Sequence, residues 1–192
     1  MASRLVDLIA LAKEPSSERR RELLRELTEL FFVTPQVHAA GEAALFDAVM
    51  TKLSSEMEEA VRAELAQRLS AEEDPPHTLI RSLASDTINV AAPVLRRSPA
   101  LSDADLVRIA ETQGQGHLRA VARRERLTEE LSDLIVQRAD DQTLEVLLRN
   151  DGAQLSRQAH EVAVDRAAAN PMLHEAVVDR ASNQYWLIEA TP

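Results

Sequence analysis

Two His-Glu pairs recur late in the chain: HEVAVDR, from His160 to Arg166, and fourteen residues on HEAVVDR, from His174 to Arg180. A His beside an acid on a helix suggests two chemistries. The first is zinc hydrolysis by an HExxH helix, which needs a second His four residues on so that both imidazoles share the metal. Val164 and Val178 hold those positions, so the zinc reading fails. The second is phosphotransfer, in which an exposed His attacks a phosphoryl group. His174 is one candidate acceptor. His38 is the other, in QVHAAGEAALF, where nearby Gly41 leaves room for a partner's active site. Against this, His174 falls with Val178 and Ala181 on the flank of an apolar stripe, which leaves it at best half exposed. There is no nucleotide-binding module, so any transfer would be passive.

Other chemistries are poorly served. The chain has no cysteine, which excludes disulfides, thiol nucleophiles and thiolate metal sites. With four glycines and no GxGxxG or Walker-type run, no phosphate cradle is expected. Asp103 with Asp105, and Asp140 with Asp141, stand where helix caps belong. HLRAVARRER (His117 to Arg126) sets Arg119, Arg123, Arg124 and Arg126 against Glu125 alone. Such a row can hold nucleic-acid phosphates, but that mode draws its strength from several basic clusters along one groove. Here the flanks are acidic (Glu56, Glu58, Glu59, Glu64, Glu72, Glu73, Asp74) and the net charge is −10. Pairing of these arginines with carboxylates on adjacent helices is the simpler reading.

The elements that would position these residues are helical. Hydrophobic residues make up 45% of the chain but aromatics only 3%, so burial falls to Leu, Val, Ile and Ala. Leu5, Leu8, Ile9 and Ala12 form a first stripe at helical spacing, and Leu23, Leu24, Leu27, Leu30 and Phe31 a second. After Thr34-Pro35 a third helix is expected from about Gln36 to Leu53. Ser55 with Glu58 has capping-box spacing and predicts a new start.

Beyond that point two ladders interleave. Leu65, Val94, Val121 and Leu147 begin four similar tetrads, LAQR, VLRR, VARR and LLRN. Leu79, Leu106, Leu134 and Val162 fall between them at almost the same step. Paired helices repeated about four times explain both series. DPPH and SPALS separate helices, Ser102 with Asp105 predicts a capping box, and Thr128 predicts another cap. Gly152 reads as a left-handed helix stop. Pro93 starts its helix if Asn89 caps it and kinks it otherwise. Asn170-Pro171 parts the two His-Glu copies, so HEVAVDR closes one helix and HEAVVDR fills the next.

Single-striped helices must stack to bury their apolar faces. The expected fold is therefore all-α: a three-helix N-terminal cap over residues 1–54, then about four helix pairs over 55–182 as a short right-handed α-solenoid of HEAT or armadillo type. Residues 183–192 are expected as a tail or the start of further sequence, with Tyr185 and Trp186 closing the last apolar layer.

LIRSLASDTINVAAPVLRRSPALSDADLVRIA (Leu79 to Ala110) closely resembles the bacterial family called domain of unknown function 2336. So do RLVDLIALAKEPSSERRRELLRELTELF near the start, HLRAVARRERLTEELSDLIV (His117 to Val136) and LLRNDGAQLS (Leu147 to Ser156). The resemblance implies HEAT-like helical repeats and brings no activity to particular residues. Many members are longer, so the chain reads as a short member or an N-terminal fragment.

The functional expectation is a non-enzymatic helical-repeat protein that binds another protein, with no cofactor, metal or small-molecule ligand. Arg81, Arg108 and Arg138 on the second series of helices, with Arg119, Arg123 and Arg124, are the expected contacts. Histidine phosphotransfer through His38 or His174 is the first alternative and nucleic-acid binding the second. No apolar run reaches the roughly 20 residues of a membrane span, and a cytoplasmic location is expected.

Overall fold

The computed structural model describes residues 17–33 and 40–189, with side chains for 18–32 and 43–181. The first apolar stripe, the Thr34-Pro35 break, His38 and the side chains of Tyr185 and Trp186 lie outside the described residues. The fold is all-α: eleven helices and no strand among the described residues. It divides into two compact units, one up to Val94 with Ser98–Leu101, the other comprising Leu95–Arg97 and the chain from Ser102.

The first unit holds α1 (Ser17–Val33), α2 (Ala40–Ser55), α3 (Glu59–Leu69), α4 (His77–Ala84) and most of α5 (Ile88–Arg97). Leu23, Leu24 and Leu27 of α1 are buried, as are Phe46, Met50 and Leu53 of α2, and Phe31 stacks on Phe46 with ring centroids 6.0 Å apart. Ion pairs link α1 to α3 and the turn before it in rising order: Arg20–Glu56, Arg21–Glu58, Arg25–Glu64 and Glu29–Arg68. The numbers climb together, so the two segments run parallel. Between α1 and α3 lies a void of about 20 Å³, room for no more than a water.

Helix α4 opens after Pro76, which has no side chain able to cap it. Asp47 of α2 supplies the missing acceptors, taking the Thr78 amide at 2.7 Å and the Leu79 amide at 2.9 Å. This satisfies two of the donors that a helix start leaves open. The expected cap at Ser55 is corrected: α2 runs through Ser55, whose hydroxyl donates to the Lys52 carbonyl, and Glu58 stands at the N-cap of α3. Pro93 lies inside α5, after the Thr87 N-cap.

The second unit holds α6 (Asp103–Thr112), α7 (Gln115–Val121), α8 (Glu129–Arg138), α9 (Asp141–Leu148), α10 (Arg157–Ala167) and α11 (Pro171–Glu189). Consecutive helices pair as α6/α7, α8/α9 and α10/α11. Across the pairs, α6 packs on α8 and α8 on α10, while α7 packs on α9 and α9 on α11. Local side-chain caps start α6, α9 and α10. Ser102 and Asp105 form the predicted capping box, Asp140 takes the Thr143 amide, and Ser156 takes the Ala159 amide. Thr128 is at an N-cap but makes no side-chain cap bond.

The first ladder is buried at all four rungs, Leu65, Val94, Val121 and Leu147. The second is not. Leu79 and Leu106 are buried, Leu134 is half-buried and Val162 is 36% exposed. The buried rungs seven residues past each N-cap are Leu83, Ile109, Ile135 and Ala163. A slip of one residue turns a helix by about 100°, enough to carry a side chain off the buried stripe.

No described glycine has a positive φ, which corrects the left-handed reading of Gly152. Its amide is taken by the Asn150 side chain at 2.9 Å, and a Cβ on it would sit 1.8 Å from the Glu125 carbonyl oxygen. Glycine is needed there for close approach. The two passing strands of chain exchange bonds, Leu127 N to Gly152 O and Gln154 N to Leu127 O, both at 3.1 Å.

Candidate functional site

Helix C-termini leave carbonyl oxygens without partners, and the second unit closes them with side chains from the next helix in the row. In one row Arg124 Nη1 donates to Leu95 O at 2.7 Å, and Asn150 Nδ2 donates to Ala122 O and Arg124 O. Arg180 then donates to Leu148 O, Asn150 O and Ala153 O. In the other row Arg138 donates to Ala110 O and Arg166 to Ala139 O. Burial pulls the guanidinium pKa values of Arg124 and Arg180 below the usual range, with Asp103 and Asp151 respectively opposing.

This explains the tetrads. In VLRR, VARR and LLRN the second residue (Leu95, Ala122, Leu148) offers its carbonyl. The fourth residue of VARR and LLRN (Arg124, Asn150) reaches back to the preceding tetrad. The third residue (Arg96, Arg123, Arg149) is exposed every time. It is a row of outward arginines at the ends of α5, α7 and α9, in a chain of net charge −10.

The three are not equally engaged. Arg149 is ringed by Glu145 at 3.1 Å, Glu175 at 3.4 Å and Asp179 at 3.5 Å, and this carboxylate shell holds its pKa above the usual range, the Glu145 hydrogen bond first. Glu175 and Asp179 lie four and eight residues after Pro171, the first residue of α11. The same places counted from the start of α7 are Arg119 and Arg123, which cannot clamp a cation. Arg96, at the end of α5, accordingly meets no such clamp, and neither it nor Arg123 nor Arg126 makes an ion pair with any described residue.

The expected contact residues are dispersed by this arrangement. Arg123 is in the exposed row. Arg124 is half-buried against α5, Arg119 pairs with Asp140 at 3.4 Å, and Arg138 reaches the Ala110 carbonyl. Arg108 is exposed beside Asp105 at 3.8 Å, and Arg81 is exposed. Arg108 and Arg138 stand six and ten residues past their N-caps, Ser102 and Thr128, and so fall on one helical face, whereas Arg81, five past Pro76, does not share it. Arg96 and Arg149 were missed by sequence reasoning. Their signal was the third letter of each tetrad.

Of the histidines, His160 is half-buried with Nδ1 2.9 Å from the Ser156 carbonyl. His174 is exposed on α11, with exposed Val178 one turn on. The shared part of the two HExxVDR copies that does the same task is the final residue: Arg166 and Arg180 both close earlier helix ends. Among the described residues no three His, Asp or Glu side chains are grouped to hold a metal, and no helix is long and apolar enough to cross a membrane.

Residues 90–185 match a family model described as an uncharacterised protein conserved in bacteria, DUF2336. That span is half of the chain and contains every member of the arginine row. No curated protein matches the chain, and no solved structure does.

Proposed function

The chain belongs to the bacterial family DUF2336, and we propose that it is a non-enzymatic helical-repeat protein whose surface binds another protein. Its hairpins from α6 onward are read as turns of a HEAT- or armadillo-like array. The observation that carries this reading is a division of labour along the tetrads, clearest in VARR, where Arg124 reaches back to Leu95 and Arg123 faces outward. One residue closes the stack, and its neighbour stands outside as a cation without an internal partner at Arg96 and Arg123. Repeats stacked on nearest neighbours leave such outer rows available for recognition. The charge of the chain weighs against a long polyanion, which would run from the row onto acidic flanks.

A photo-activatable side chain placed at exposed Glu125, beside Arg123 and Arg126, tests this in native cells. A discrete crosslinked protein is expected there and not from the same probe at exposed Ala168, the C-cap of α10. Crosslinks only to nucleic acid, or identical products from both positions, would overturn the reading.

A second reading, histidine phosphotransfer, draws on the exposure of His174 beside Val178 and Ala181. Incubation with a phosphorylated response regulator would then leave acid-labile label that His174→Ala abolishes. Absence of label disposes of it.

A further inference from the structure

We propose that the outward row binds an acidic helix of a partner protein, one that presents a pair of carboxylates four residues apart to Arg96 and Arg123. The inference rests on the interaction-module reading and names the chemistry of its partner. The chain itself contains the template. Glu175 and Asp179 are spaced i, i+4 on α11, lie on one helical face, and hold Arg149 at 3.4 and 3.5 Å. Arg149 is the third member of the row. Arg96 and Arg123 occupy the same place in their tetrads, are exposed, and meet no such pair: the corresponding positions are Arg119 and Arg123 of α7 for Arg96, and Glu145 and Arg149 at the end of α9 for Arg123, where Glu145 is taken by Arg149 itself.

The Arg124–Leu95 bond, 2.7 Å long, sets the segment from Arg123 to Arg126 against the end of α5. Arg96, Arg123 and Arg126 therefore sit on adjoining chain segments held together by a half-buried bracket. Guanidinium forks suit carboxylate pairs. Flanking groups of opposite sign are Glu125 and Asp103, and Asp103 faces Arg124. A helix with few charges fits this short row better than a nucleic acid does, since three arginines release few counterions.

The probe is a labelled synthetic helical peptide with two Glu-Asp pairs at i, i+4, followed by fluorescence anisotropy at about 50 mM salt, where screening is weak. Saturable binding is expected, weakened about tenfold by Arg96→Glu with Arg123→Glu, as expected for loss and reversal of two exposed pairs. A peptide of the same composition with its acids at i, i+2 should bind several-fold more weakly. The double variant Glu175→Gln, Asp179→Asn strips Arg149 of both α11 carboxylates, leaves it only Glu145, and should tighten binding by extending the row. No saturable binding, equal affinity for both peptides, or tighter binding of an oligonucleotide of matched charge would each overturn the proposal. A protein still captured through Glu125 in cells would then leave the broader interaction reading standing.

Discussion

Arg180 sits 6% exposed with its guanidinium spread across the end of α9, donating to the Asn150 carbonyl at 2.7 Å. Asn150 passes the connection on, since its side-chain amide donates to the carbonyls of Ala122 and Arg124. Arg124 in turn donates to Leu95. Three helix ends in one row are thereby linked by one relay of side chains, with Leu95, Ala122 and Leu148 each finding a side-chain donor for its carbonyl.

Replacing Arg180 by Met keeps the apolar stem and removes every donor. Three carbonyl oxygens, of Leu148, Asn150 and Ala153, would then lose this buried partner, at a cost of about 1–3 kcal/mol for each one left unsatisfied. A loss of about 3 kcal/mol in total is expected, read from the denaturant midpoint at unchanged m-value. Arg180→Lys should recover only part of it, because a single ammonium cannot span three carbonyls. A midpoint unmoved by Arg180→Met would show that the bracket adds nothing.

Gly152→Ala is expected to be costly although the change is one methyl group. The added Cβ would stand 1.8 Å from the Glu125 carbonyl oxygen, and that oxygen is backbone, so relief requires the two passing segments to part. About 2 kcal/mol of destabilisation is expected, in the range for overpacking a tight site. Hydrogen exchange gives the local signature: the amides of Leu127 and Gln154, which bond across this crossing, should lose protection first.

These two residues also mark what could be read from the chain alone. Helix content, the capping box at Ser102 and the cap at Asp140 are local properties, and sequence spacing reports them. The first ladder was legible because each rung opens a similar tetrad. The second drifted because Leu134 and Ile135 are adjacent and equally apolar, so a constant step chose the wrong one in α8 and carried the error to Val162. Ser55 with Glu58 satisfied the same local rule as Ser102 with Asp105, yet packing kept α2 helical through Ser55. Nothing local separates an arginine that reaches inward from one that faces solvent. Arg123 and Arg124 are neighbours of one type with opposite roles, and only the preceding helix end decides between them. Gly152 is a glycine because of Glu125, a relationship fixed by the crossing of two loops.

Acid should weaken the first unit through Asp86. Its carboxylate meets the Arg62 guanidinium at two points, 2.5 and 2.9 Å, and takes the Thr87 amide at 2.7 Å. The Arg62 hydrogen bond, and behind it the Thr87 amide, hold its pKa below the ordinary 3.8 against the opposing effect of burial. A carboxyl lowered on folding contributes fully above its unfolded value and loses that contribution as pH falls through the lower folded value. Stability of the first unit is therefore expected to drop below about pH 4, and the second unit should weaken over the same range through Asp140 and Asp141, lowered in the same sense. Asp86→Asn should cost about 2 kcal/mol at neutral pH and flatten the acid limb. An acid limb of unchanged steepness in that variant would assign the effect to other groups.

Ser132 makes the opposite case, a polar group whose removal should help. It lies in α8 fully buried, with an Oγ that finds no hydrogen-bond partner among the described residues. Four residues past its N-cap, it occupies the position that Ile80 and Leu106 hold in α4 and α6. An unpartnered hydroxyl in an apolar layer carries a desolvation cost of about 1–3 kcal/mol. Ser132→Ala removes that cost, loses almost no volume and favours helix. A gain of about 1 kcal/mol is expected in chemical denaturation. Ser132→Val adds volume at a site with 0% exposure, so its gain should be smaller or reversed by overpacking. A loss of stability in the alanine variant would mean that the hydroxyl has a bonding role in this layer.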